Sequence, residues 1–282
     1  MTKSVFTATA TGEQGCPLSI LLLQLDYKVQ ILVRDSSSSA AQALRVLGAE
    51  VHTGNLESFE AVANAIAGAG TNVLKAAQQK KVTQAIYSKV ARTGDHETFP
   101  DWSKEDPSAQ YWFQKDDIEK TVRTLGFSYW KILRPAFFMQ NFCYPNCDHM
   151  FPGLSETNTL RIAFLQSTRL DLISAGDVAR FATKAIQSPN RFSKKTLTLA
   201  ADKLSAAEIA DQLGTVSGKE IIVEYLPNQV ARTLRKQGNG VVGAQIWQRD
   251  VGYYADIDAL SEYGVSLTPV TEAQNGSSPF HV

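Results

Sequence analysis

Tyr111 and Lys115 stand four residues apart in YWFQK, a spacing that sets a phenol and an ammonium on one face of a helix. A nearby cation favours the phenolate, so this pair is a candidate for moving a proton to or from a reacting oxygen. Each member also has a plainer reading. Tyr111 opens the aromatic run Tyr111-Trp112-Phe113, which suits packing, and Lys115 precedes Asp116 and Glu119, which suits a solvated helix face. A second constellation is TGEQG, residues 11–15. Gly12 and Gly15 admit close approach of a pyrophosphate to backbone N–H groups, with Thr11 and Gln14 beside them. The same letters serve any tight turn, but here they follow a strand and open a helix. Arg34 follows the second strand, where an acidic residue would bind a ribose hydroxyl and an arginine pairs instead with a 2′-phosphate. NADP(H) is therefore the expected cofactor, with Ser36 and Ser37 as further donors. The alternative for Arg34 is a surface pair with Asp35. Ser88, ending AIYS, is either a site hydroxyl or a strand-end cap.

The elements that must hold these residues alternate between strand and helix. SVFTATA (4–10), VQILVRD (29–35), EVHTGNL (50–56), QAIYSKV (84–90) and SYWKILRP (128–135) read as strands. PLSILLLQLD (17–26), SAAQALRVLG (39–48), SFEAVANAIAG, TNVLKAAQQKKV (71–82) and AQYWFQKDDIEKTVRTLG (109–126) read as helices. This rhythm predicts an α/β fold with a doubly wound, Rossmann-like parallel sheet and right-handed crossovers. One join is abrupt: no strand fits between the helix ending near Gly68 and the one starting near Thr71. Either a strand and its loop are absent from the chain or the sheet is built differently there. Pro135, Ala136, Phe137, Phe138, Met139 and Asn141 follow a strand end on the ligand side of such sheets. Pro135 and Phe138 are expected at the cofactor and Phe137, Met139 and Asn141 at an apolar substrate, with core packing the rival for each. Beyond them only short strands (RLDLISA, KTLTLAA) and the helix SAAEIADQLGTVSG are legible. The division expected is a cofactor-binding domain over 1–145 and a smaller, interleaved C-terminal substrate lobe over 146–282.

Composition narrows the partners. The 282 residues are 44% hydrophobic, enough for a large core, and 28 basic residues balance 28 acidic ones, which argues against direct nucleic-acid or membrane-surface binding. Three cysteines without a second pair, and isolated histidines, read as thiols and not as a metal site or disulfide. No leader or spanning segment is legible, so a reduced, cytoplasmic protein that binds small molecules is expected.

TATGEQG, VQILVRD, GAEVHTGNL, AIYSKV, FQKDDIEKTVRTLG, ILRPAFFMQNF and LSAAEIADQLGTVSGKEI, in this order, resemble the NmrA-like family of atypical short-chain dehydrogenases/reductases. The resemblance implies a phosphate loop G-A-T-G-x-x-G, from which Thr9 departs at the first glycine. It also implies a strand and loop near residues 68–72, adenine contacts from Asn55 and Leu56, and Lys115 on the nicotinamide ribose. Three functions follow from it. They are an NADP(H)-dependent reductase of an apolar carbonyl or alkene, a cyclase or isomerase that keeps the cofactor as pocket wall, and a nucleotide sensor that binds a partner protein.

Overall fold

The computed structural model describes residues 3–54, 66–100, 102–106 and 108–274. The first part of the chain runs β1 (Ser4–Thr7), α1 (Gly15–Gln24), β2 (Lys28–Val33), α2 (Ser39–Val46), β3 (Glu50–Thr53), α3 (Ile66–Gln79), β4 (Gln84–Ser88), α4 (Ala109–Thr124) and β5 (Tyr129–Pro135). There follow β6 (Phe137–Phe138), α5 (Asn146–Met150), α6 (Leu154–Thr157), β7 (Thr159–Ile162), β8 (Arg169–Ile173), α7 (Ala175–Gln187) and α8 (Pro189–Phe192). The last elements are β9 (Lys195–Leu199), β10 (Asp202–Ser205), α9 (Ala206–Ser217), β11 (Ile222–Tyr225), α10 (Asn228–Lys236), α11 (Gly240–Asp250), α12 (Ile257–Leu260) and α13 (Val270–Gln274). Two compact units each draw on three stretches of chain: 1–89, 113–133 and 175–197 form the first, and 90–112, 134–174 and 198–282 the second.

In the first unit β1, β2 and β3 pair in parallel in that order, and β4 pairs in parallel with β5 in a sheet ordered β4-β5-β9. Val29, Ile31 and Val33 alternate inward along β2 and meet Leu22 of α1 and Ala41 and Leu44 of α2. That period of two is the strand signal in the sequence. α1 starts two residues earlier than its apolar run suggests, directly from the turn. Pro17 sits in its first turn, where the missing N–H breaks no helical bond. α7 packs on α1 and touches β4.

The abrupt join near residue 70 lies inside helix: α3 runs without a break from Ile66 to Gln79. Residues 58–65 of the helix expected before it lie outside the described residues.

In the second unit β8 pairs in parallel with β6 and antiparallel with β10, and β7 pairs in parallel with β11. Its core gathers Phe137, Met139, Phe142, Phe151, Leu160, Ile162 and Leu172, with Phe142 and Phe151 stacked at 4.8 Å. α9 is closed by a capping box of Ser205 with Glu208 and by Gly218 at φ +69. The region after residue 150 holds more helix than expected, namely α7, α10 and α11. In α7 the buried face holds Ala175, Val178, Ala179, Phe181, Ala182 and Ala185, a strong helical period in AGDVARFATKAIQ that the reading above passed over.

Among the described residues no helix is long and apolar enough to cross a membrane, and no cluster of three metal-ligating side chains occurs. Among the described residues, Cys16, Cys143 and Cys147 are not joined in disulfides.

Candidate functional site

The turn between β1 and α1 is held by its own backbone. Gly12 N–H donates to the Thr9 carbonyl at 3.0 Å and Cys16 N–H to the Gly12 carbonyl at 3.0 Å. Thr9 occupies the left-handed region at φ 55, a conformation that suits the glycine usual at that point in the family's loop. The two glycines serve different needs. A Cβ on Gly15 would overlap the Thr9 carbonyl and come within 2.8 Å of Ala10 Cα, whereas a Cβ on Gly12 would meet nothing nearer than the Thr9 oxygen at 3.4 Å. Gly15 is thus required by the fold, and Gly12 leaves its outer face clear. Gln14 begins α1 without capping it through its side chain, and the first turn carries no acidic residue. The positive end of the helix dipole faces the turn, and the nearest acid in sequence, Glu13, lies before the N-cap and outside the helix.

Beside the turn, Ser88 at the end of β4 donates its hydroxyl to Gln14 Oε1 at 2.5 Å. Thr11 and Gly12 are exposed on the same turn. Arg34 is exposed just after β2, and among the described residues no hydrogen bond or ion pair engages it. Asp35 is occupied instead by Ser37, whose N–H and hydroxyl donate to its Oδ1 at 2.8 and 2.6 Å and hold its carboxyl below the ordinary value. The surface pair between Arg34 and Asp35 is not formed. Asn55 and Leu56 lie outside the described residues.

Lys115 is half-buried on α4, and its charge bears on Lys89, the residue after β4. The Lys89 N–H donates to the Leu133 carbonyl at 2.8 Å and its Nζ lies 5.8 Å from the Tyr87 ring centre. Burial first, and then the Lys115 charge, push the Lys89 amine down to about 7. Sequence reasoning gave Lys89 no role. Its one signal was a cation placed directly after the apolar strand AIYS, at the strand's carboxyl end.

The remaining sequence-derived residues belong to the second unit. Tyr111 is 44% exposed, one helical turn before Lys115 on α4, with its ring edge-on to Trp112 at 5.3 Å. Its surroundings raise the phenol above its ordinary value, the opposite of what an acid tuned by a cation needs. Pro135 is buried, and Phe137 and Met139 are core residues at 5% and 0% exposure, so packing accounts for both side chains. Phe138 and Asn141 are half-buried.

A parallel α/β unit with a glycine turn between its first strand and helix defines a Rossmann-like nucleotide-binding class of protein. The model of the NmrA-like family matches residues 1–264, and the chain belongs to that family. A curated relative, agroclavine dehydrogenase of Claviceps fusiformis, is 28% identical over 163 residues, covering 55% of this chain and 52% of that protein. The chain thus matches about half the length of that relative. Among solved structures, an NADPH-dependent quinone oxidoreductase of Escherichia coli complexed with NADPH superposes with a TM-score of 0.70 at 20% identity, over 97% of this chain and 98% of that one. Triphenylmethane reductase of Citrobacter sp., complexed with NADP(H), gives 0.67 at 19% identity, over 95% and 98%.

Proposed function

We propose that this protein is an NADP(H)-dependent reductase of an apolar small molecule. The observation that carries the reading is the state of Arg34, exposed at the end of β2 while Ser37 engages the neighbouring Asp35. A guanidinium so placed pairs with a 2′-phosphate in two parallel hydrogen bonds. The turn at Gly12 and the start of α1 take the pyrophosphate, and Gln14, fixed by Ser88, shapes its edge. Lys115 holds the nicotinamide ribose. Phe138 and Asn141, the members of the FFMQN stretch that packing does not fully bury, are proposed to touch the substrate. The relatives support the chemistry: one is named for a dehydrogenase and two for reductive enzymes with the same cofactor type. Bound NADPH supplies the hydride, and a proton must follow it from the protein or water. Tyr111 remains a candidate donor, although its raised pKa makes it a weak one.

The test follows nicotinamide absorbance with a panel of quinones, enones and cyclic imines under saturating NADPH. Oxidation that depends on both substrate and protein supports the reading. Substrate conversion without loss of NADPH would make the protein a non-redox enzyme, and NADPH binding without conversion of any substrate would favour a sensor.

A further inference from the structure

Two residues with left-handed backbone face each other in the second unit. Arg92, in the turn that follows β4, has φ 64, and Tyr254, in the segment after α11, has φ 54. Side chains of this size adopt that region rarely, and such conformations cluster at ligand sites held by the surrounding structure. The guanidinium carbon of Arg92 lies 4.9 Å from the centre of the Tyr254 ring and 5.8 Å from that of Phe99, both within cation–π range.

Both partners are fixed from beneath. The Arg92 carbonyl accepts from Asp95 N–H at 3.1 Å, Arg92 Nε donates to Asp95 Oδ2 at 2.8 Å, and Arg134 donates to the Thr93 carbonyl at 2.5 Å. Phe99 is buried, edge-on to Trp112 at 5.1 Å and to Trp247 at 5.9 Å. Tyr254 stands between Tyr253, which is buried and accepts from Gln248 Nε2 at 3.0 Å, and Ala255, whose N–H donates to Asp171 Oδ2 at 3.3 Å. With both neighbours held, the Tyr254 ring is turned outward and is 72% exposed. Stacking occupies the faces of a guanidinium and leaves its in-plane N–H groups free to donate. Asp95 takes the Nε edge, and among the described residues no hydrogen bond engages the two terminal nitrogens. Those nitrogens form the fork that matches the two oxygens of a carboxylate.

We infer that Arg92 and Tyr254 form a binding site for a planar, apolar ligand that carries a carboxylate. Arg92 takes the two carboxylate oxygens in parallel hydrogen bonds, and the Tyr254 ring lies along the flat body of the ligand. The inference concerns binding and holds whether or not the protein reduces its ligand.

Calorimetric titration of the full chain, without cofactor, with cinnamate and with the uncharged cinnamamide tests this. The acid should bind, and the amide should bind roughly ten- to hundredfold more weakly, the range of a charge-assisted pair. Arg92→Met keeps an apolar stem against the rings, removes the fork and should bring the acid down to the affinity of the amide. Arg92→Lys, which keeps the charge without the fork, should recover only part of the loss. Glycine suits the left-handed backbone, so Tyr254→Gly should fold as well as the unaltered protein while binding the acid roughly two- to tenfold more weakly. No binding of cinnamate at millimolar concentration, equal affinity for acid and amide, or unchanged affinity in Arg92→Met or Tyr254→Gly overturns the inference. Loss of acid binding in Arg34→Ala with affinity retained in Arg92→Met would place the carboxylate at the end of β2 and overturns it equally. Inorganic phosphate bound as tightly as cinnamate would make this a site for small anions and overturns the planar ligand.

Discussion

The carbonyl of Thr9 lies over Gly15 so closely that no side chain fits at residue 15. The same carbonyl accepts from Gly12 N–H, so the turn and the start of α1 share one anchor. Gly15→Ala must therefore shift backbone, and a loss of about 2–3 kcal/mol in stability is expected by chemical denaturation. Gly12→Ala should stay within roughly 0.5–1 kcal/mol of the unaltered protein yet bind NADPH far more weakly, because there the methyl group meets only the incoming pyrophosphate. Equal cofactor affinity in a folded Gly12→Ala variant would place the pyrophosphate elsewhere.

Thr9 itself is a strained choice. A β-branched residue at φ 55 costs roughly 1–2 kcal/mol, and glycine gives back part of this through its larger unfolded-state freedom. Thr9→Gly should raise stability by about 1 kcal/mol, seen as a higher melting temperature, with cofactor binding retained. A lower melting temperature would mean that the threonine side chain makes a compensating contact.

Lys131, in the middle of β5, is fully buried, and its Nζ donates to the Ala185 and Pro189 carbonyls at 3.3 and 3.5 Å and lies 5.9 Å from the Phe192 ring centre. Burial pushes its amine down to about 8, below the ordinary 10.5 of an unfolded lysine. Because the folded value is the lower one, the penalty for the buried charge is present in full below pH 8 and fades as pH rises toward 10.5. Linkage alone sets it at roughly 3 kcal/mol, and the two weak carbonyl bonds offset part of that. Lys131→Met should be more stable by about 1–2 kcal/mol at pH 7, with the gain vanishing above pH 10.5. A variant less stable at pH 7 would mean that the charge is better solvated than its burial implies.

β2 was legible because Val29, Ile31 and Val33 bury one face with a period of two, whereas the break expected near residue 70 falls inside α3. The glycine turn was legible because glycines at 12 and 15 stand between a strand and a helix. The strain at Thr9 followed once the family's glycine was known, but its φ was not readable from the letters. Other features depend on tertiary proximity, which a linear pattern does not carry. The effect of the Lys115 charge on Lys89 links a strand end to a helix 26 residues on by number. Phe137 and Met139 read as pocket residues because aromatic and sulfur side chains serve pockets and cores alike, and the core cluster around Phe142 and Phe151 separates the two uses. Helix α7 was legible by its period and was passed over: Val178, Ala179, Phe181, Ala182 and Ala185 share its buried face.

The central claim is that this chain binds NADP(H) through Arg34. Calorimetric titration of the protein and of Arg34→Ala with NADPH and with NADH tests it most directly. A charge-assisted pair is worth roughly 1.5–3 kcal/mol, so the unaltered protein should prefer NADPH by on the order of ten- to hundredfold, and Arg34→Ala should erase that preference while leaving NADH affinity nearly unchanged. Equal affinity for the two nucleotides, or a preference that survives in Arg34→Ala, would contradict the account.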